Sequence, residues 1–336
     1  MLLCSGQIPS FVHHHYNPRM FSHSFPFDPT YGCDEAALRK VIAPLPPADF
    51  QSFWQETCRQ TLAVPLRLER RRIESAFPDL DVWEIEFDSL DGVRIGGWLT
   101  APRTQGFSRG VVVGHGYGPR AGPDATVPGP PAAAIFPCAR GFARSACHIP
   151  ADVPAHVLYG IESRESYVHR GCAADIFSAA SALLELFPHA AGTLDYIGGS
   201  FGGGIGALAV PWERRFRRAF LDMPSFGNHP LRLTMPCVGS GESVRQYHLG
   251  HPEVIEVLKY FDAATAAGFI QIPTLIAPAL FDPAVPPPGQ WAVYNAIPAP
   301  PVPKSLFIRQ AAHFSAPGEV EEQRRLLQQL GEFFAG

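Results

Sequence analysis

The chain has 336 residues, 46% of them hydrophobic and 17% charged, with a formal net charge of −4. These proportions exclude a disordered chain and leave room for one large core or one domain with additions. The absence of any basic run or aromatic-basic stripe argues against nucleic acid as a partner.

Residues 1–33 are rich in His, Phe, Pro and Ser and read as an irregular arm, with residues 34–336 as a single domain. Within the arm, His13-His14-His15 reads as a tail feature rather than a metal site, and Met20 is an alternative start. Asp34 caps a short helix running to Val41. Pro47-Ala48-Asp49-Phe50 opens a second helix, with Phe50, Phe53 and Trp54 on one face. Trp83, Ile85 and Phe87 alternate with Glu84, Glu86 and Asp88, which predicts a half-buried strand. Leu90-Asp91-Gly92 turns the chain into a second strand, Val93 to Leu99, so that the hairpin forms an antiparallel edge.

The period then changes. Gly110-Val111-Val112-Val113-Gly114 is a continuous apolar run, as in a strand buried on both faces. Tyr196-Ile197, Ala219-Phe220-Leu221, Thr274-Leu275-Ile276-Ala277 and Ser305-Leu306-Phe307-Ile308 repeat that character. Helical segments lie between them, notably Ala173 to Phe187 and a last amphipathic helix over Glu319 to Phe334. Such alternation predicts a mostly parallel twisted sheet covered by helices on both faces, behind an N-terminal helical and hairpin extension. The Pro/Gly-rich stretch Gly118 to Pro137 and the irregular segment Asn228 to Pro252 are candidate active-site loops.

Met1-Leu2-Leu3 is not followed by a sustained apolar span, so no signal peptide, membrane span or membrane partner is expected. The seven cysteines, Cys4, Cys33, Cys58, Cys138, Cys147, Cys172 and Cys237, show neither C-x-x-C nor zinc spacing. Free thiols in a reducing, cytoplasmic setting and a site without metal or cofactor are the expectation.

The most chemical stretch is Leu194 to Gly204, LDYIGGSFGGG. Gly198-x-Ser200-x-Gly202 is the pattern of a nucleophile elbow, a strand-to-helix turn with serine at its tip. The same pattern also fits an ordinary glycine-rich turn. The flanks supply what the motif requires: an apolar strand before it and a helix of small residues, Ile205 to Val210, after it.

A serine needs a base, and the base needs an orienting carboxylate. In an α/β-hydrolase both follow the serine, each just past a sheet strand. Asp282 ends the strand 273–281 and His313 follows the strand 305–308. Asp222, after the preceding strand, is the competing acid. His115, His148, His169, His189, His229, His248 and His251 read as structural, surface or substrate-loop residues. For an oxyanion hole the expected donors are the backbone N–H of Phe201, after the nucleophile, and that of Tyr117 in His115-Gly116-Tyr117-Gly118.

Several segments together resemble the acetyl xylan esterases and cephalosporin C deacetylases of carbohydrate esterase family 7. They are Asp49-Phe50-x-x-Phe53-Trp54, the His115 to Gly118 loop, Tyr167-x-x-Arg170-Gly171, Gly198 to Gly203, Tyr260-Phe261-Asp262, Asp282-x-x-x-Pro286-Pro287 and Tyr294-Asn295, in order. The resemblance implies an α/β-hydrolase fold and a metal-free intracellular esterase that removes acetyl groups from small acetylated sugars or related alcohols. It implies Ser200, Asp282 and His313 as the triad, and a ring-like homohexamer as the assembly. The chain departs from the family at three places. Phe201 stands where the family has Gln, Pro150-Ala151-Asp152 where it has Arg-Gly-Gln, and Phe314 where it has Glu. A carboxylesterase or lactone hydrolase of other substrate class is the alternative enzyme, and a non-catalytic binding protein on this fold the alternative from another class.

Overall fold

A computed structural model describes residues 21–336; Cys4, His13 to His15 and Met20 lie outside the described residues. The strands are β1 (Glu69–Ile73), β2 (Leu80–Asp88), β3 (Arg94–Pro102), β4 (Arg109–Gly114), β5 (Ala132–Pro137), β6 (Leu194–Gly199), β7 (Phe216–Asp222), β8 (Thr274–Ala277) and β9 (Lys304–Leu306). Among the described residues they form one sheet in the order β1-β2-β3-β5-β4-β6-β7-β8-β9. The β1, β2, β3 and β5 neighbours pair antiparallel, and from β5 to β9 every pairing is parallel.

Helix α1 (Glu35–Leu38) begins where Asp34 accepts a hydrogen bond from the Ala37 N–H. Helix α2 (Phe50–Leu62) buries Phe50, Trp54 and Cys58, spaced four apart on one stripe. It shares the larger core with α4 (Val168–Leu186) and α5 (Phe201–Ala209), against Val112, Leu194 and Tyr196 of the sheet. Val111 and Val113 point the other way, as the period of two demands. On that second face, Leu326, Leu330 and Phe334 of α11 (Glu319–Ala335) cover Phe220, Leu275 and Ala277. Each such buried Val, Leu or Phe side chain contributes about 1.5–3 kcal/mol.

The observed elements correct the sequence reading in four places. First, β1 lies outside the expected hairpin and forms the true edge. Its sequence, ERRRI, is exposed along most of its length and carries no alternation. It is held by pairing with β2 and by side-chain ion pairs such as Arg71 with Glu84.

Second, the stretch expected as a loop over Gly118 to Pro137 ends in β5, a fully buried strand between β3 and β4. Alanines flanked by prolines carry no strand signal of their own; burial on both faces decides their state. Third, Asn228 to Pro252 contains α6 (His229–Arg232) and α7 (Ser240–Gly250). Fourth, α4 starts at Val168 rather than Ala173. Gly171 within that first turn leaves the space that the Arg140 guanidinium fills.

The remaining short helices are α3 (Val153–His156), α8 (Ile255–Leu258), α9 (Ala263–Ala267) and α10 (Pro287–Ala296). Residues 21–33 of the expected arm lie against the loop at Asp282. Asp282 N–H donates to the Pro29 carbonyl at 3.1 Å, and Tyr31 OH donates to the Pro236 carbonyl at 2.7 Å. All six cysteines among the described residues are free. No helix among the described residues is long and apolar enough to cross a membrane.

Candidate active site

Strand β6 runs into α5 through Ser200, which has φ 53° and ψ −113°. Positive φ in a non-glycine residue is a strained state that its surroundings must enforce. Here the enforcement is visible. Ser200 N–H donates to the Asp222 carbonyl at 2.9 Å, and the Ser200 carbonyl accepts from Gly204 N–H and Ser225 N–H at 3.0 and 3.1 Å. Tyr196 OH donates to the Gly202 carbonyl at 2.6 Å. A Cβ at Gly198 would lie 2.5 Å from the Gly202 carbonyl oxygen, and one at Gly202 would lie 2.8 Å from the Gly114 carbonyl carbon. Only glycine fits either place.

The turn presents Ser200 Oγ 2.9 Å from His313 Nε2, and His313 Nδ1 lies 2.8 Å from Asp282 Oδ2. A carboxylate only accepts, so Nδ1 carries the proton and Nε2 keeps its lone pair for the serine hydroxyl. The Asp282 side chain is fully buried. Its Oδ1 accepts from Ala284 and Val285 N–H at 2.8 and 2.9 Å, and its Oδ2 also accepts from Gln290 Nε2 at 2.8 Å. Burial pulls the His313 pKa down, but the hydrogen bond to Asp282 and its charge outweigh burial, so the net shift is upward. Asp222, the competing acid, is occupied elsewhere: Arg309 Nε and Nη2 grip its two oxygens at 2.6 and 2.7 Å.

Gln290 carried no signal in the sequence. Its Oε1 accepts from Ala279 N–H at 2.8 Å while its Nε2 donates to Asp282 and to the Val285 carbonyl. It thus ties the end of the acid strand to the carboxylate. It reaches that place from α10, whose first turn uses prolines at positions that need no N–H donor.

The two expected oxyanion donors are neighbours in space. Gly202 N–H donates to the His115 carbonyl at 2.9 Å, which fixes the Gly116-Tyr117 loop against the elbow. The Tyr117 and Phe201 rings stack with centroids 4.2 Å apart and planes 5° from parallel. Among the described residues no hydrogen bond uses the N–H of Tyr117 or of Phe201.

Beneath the stack, Tyr117 OH lies 2.9 Å from His156 Nδ1 and 3.4 Å from His169 Nε2. His156 Nε2–H donates to the Arg140 carbonyl, so its Nδ1 accepts from Tyr117. Burial lowers the pKa of both histidines and holds them neutral. His115 is likewise structural: Nδ1–H donates to the Gly116 carbonyl, Nε2 accepts from Ala139 N–H, and burial pushes its pKa down to about 4. His156 belongs to this layer although nothing in the sequence singled it out. No group of three His, Cys, Asp or Glu among the described residues is arranged to hold a metal ion.

The chain as a whole is similar to known proteins. The chain superposes on the acetyl xylan esterase from Paenibacillus sp. R4 with a TM-score of 0.76 and 22% identity, covering 88% of this chain and 99% of that one. Acetyl xylan esterase 1 from Thermoanaerobacterium sp. JW/SL YS485 gives 0.75 and 19%, covering 90% and 99%. The uncomplexed acylaminoacyl peptidase from Pyrococcus horikoshii gives 0.58 and 15%, covering 77% of this chain and 42% of that one. These likenesses place the fold among the α/β-hydrolases. No curated protein matches the chain. The family model described as acetyl xylan esterase (AXE1) matches residues 43–325. The chain therefore belongs to the acetyl xylan esterase family.

Proposed function

We propose that this protein is a serine esterase that removes short acyl groups, acetyl foremost, from acylated sugars or related small esters. The observation that carries the reading is the unbroken hydrogen-bond chain from Ser200 Oγ through His313 to Asp282, at 2.9 and 2.8 Å. Membership of the acetyl xylan esterase family supports the acetyl group as the preferred acyl.

In this reading His313 Nε2 takes the hydroxyl proton as Ser200 Oγ attacks the ester carbonyl. The tetrahedral oxyanion forms beside the unengaged N–H groups of Tyr117 and Phe201. His313 returns the proton to the departing alcohol, and water repeats the sequence on the acyl-enzyme. Asp282 holds the imidazole in the productive tautomer and stabilises its charged form. The reading includes a homo-oligomer, by the family resemblance, and a cytoplasmic location, which the free cysteines favour.

The test is a fluorophosphonate probe together with p-nitrophenyl acetate. Wild type should be labelled at Ser200 and turn over the ester. Ser200→Ala should resist the probe and lose about 10³-fold or more in kcat. A folded Ser200→Ala protein with near-normal turnover, or an unlabelled wild type, would overturn the assignment.

A further inference from the structure

Arg109, Arg140, Arg232 and Arg309 are buried. Three of them hold a carboxylate. Arg109 Nε sits 2.6 Å from Asp195, Arg140 Nη2 2.7 Å from Asp175 and Arg309 Nε 2.6 Å from Asp222. Arg232 is only 6% exposed, yet among the described residues it has no acidic partner. Its one side-chain hydrogen bond there runs from Nη1 to His229 Nδ1 at 3.4 Å. His229 Nε2–H donates to the Phe261 carbonyl at 3.2 Å, which leaves Nδ1 as an acceptor. Burial, followed by the Arg232 charge, pushes the His229 pKa down to about 3, so this partner is neutral. A buried guanidinium without a counter-charge is costly, and the usual remedy is an anion. Nε and Nη2 have no hydrogen-bond partner among the described residues.

The position ties this charge to Ser200. Helix α6 lies just beyond the C-terminal end of β7, the end of the sheet at which Ser200 sits. Ser225 N–H donates to the Ser200 carbonyl, and Phe226 follows it. The Phe226 ring meets the Phe201 ring edge-on at 5.9 Å and lies 5.6 Å from Arg232 Cζ. The same Phe226 ring lies 4.3 Å from the His169 ring and 6.4 Å from the Tyr117 ring, centroid to centroid. A Cβ at Gly241 would lie 2.4 Å from Arg232 Nη2, so glycine there leaves the guanidinium its room.

We propose that Arg232 receives a carboxylate carried by the ester substrate, which makes it a specificity-determining residue. This rests on the esterase reading and narrows its substrate class to anionic esters. The carboxylate sits on either the leaving alcohol or the acyl group, and two matched pairs separate these. One pair is 3-acetoxybenzoate against 3-acetoxybenzamide; the other is phenyl hydrogen succinate against phenyl succinamate.

Wild type should favour the acid of at least one pair by about tenfold or more in kcat/KM, the size expected of one charge-assisted contact. Arg232→Gln should bring that ratio towards one, and Arg232→Lys, which keeps the charge, should retain part of it. The wild-type ratio and the lysine variant carry the test where Arg232→Gln does not fold. Calorimetric binding of the same pairs to Ser200→Ala needs no turnover. Preferential binding of an acid there, alongside an inactive wild type, would sink the esterase reading while sustaining the anion site. Equal binding and equal turnover of acid and amide in both pairs overturn the proposal.

Discussion

Asp282 lies fully buried and accepts hydrogen bonds from Ala284, Val285, Gln290 and His313. Those donors favour an ionised carboxylate away from water, and Gln290 is the one side-chain donor among them outside the proposed triad. Gln290→Met removes one donor from Oδ2, concentrates the negative charge facing His313 and loosens the acid strand. We expect kcat to fall about tenfold, equivalent to ~1.4 kcal/mol of barrier. The His313 pKa already lies above its ordinary 6.5. If the neutral imidazole is the base, as proposed, activity on p-nitrophenyl acetate is present at high pH and lost on acidification, with a midpoint above pH 6.5. Gln290→Met should move that midpoint further up, and an unmoved limb with unchanged kcat rejects the positioning role. Ser200, Asp282 and His313, which the structure brings within hydrogen-bond reach of one another, could be singled out as candidates because each follows an apolar strand in the order this fold uses. Gln290 was not, because an amide in a proline-rich segment has no pattern until the helix turns it inward. Phe201 read as a lost polar group; in the structure it is the ring that braces Tyr117.

At the scale of elements, the segment 21–33 has more to do than the irregular composition suggested. Phe21 packs on Phe281 at 5.2 Å and on Phe314 at 5.8 Å, and Phe25 reaches Phe314 at 6.2 Å. Phe281 precedes Asp282 and Phe314 follows His313, and these two rings touch at 4.9 Å. The segment therefore braces both loops through their neighbours, each aromatic pair contributing about 0.5–1.5 kcal/mol. Phe21→Ala combined with Phe25→Ala should lower kcat/KM on p-nitrophenyl acetate about tenfold while the far-UV circular dichroism stays native. Full activity in the double variant would show the contact to be incidental. Strands with continuous Val and Leu announced themselves in the sequence. The alanine strand β5 and the charged edge β1 did not, because partners on either side decide their state rather than intrinsic preference.

At the scale of the whole molecule, the four buried histidines His115, His156, His169 and His229 serve as neutral packing groups. Burial pushes His115 to about 4 and His229 to about 3, and lowers His156 and His169 as well. In the unfolded chain each titrates near 6.5, so below that pH the unfolded state binds more protons than the native one. The contribution of these four to stability is then full above about pH 6.5 and falls with each step of acid towards pH 4. The urea midpoint should drop steadily from pH 7 to pH 4, and His115→Gln should flatten that decline; a midpoint independent of pH would contradict it.

The sequence by itself determined the parallel sheet, the elbow and the order in which serine, acid and histidine follow strand ends. These depend on local apolar runs and glycines, whose meaning lies within a few residues. Only the tertiary structure shows that Asp282 rather than Asp222 meets His313, since both end strands and the difference rests on where Arg309 reaches. It also placed the 21–33 segment on the Asp282 and His313 loops, and it alone left Arg232 without a carboxylate among the described residues. Those outcomes depend on which distant charges and rings share a space, and no local propensity encodes that.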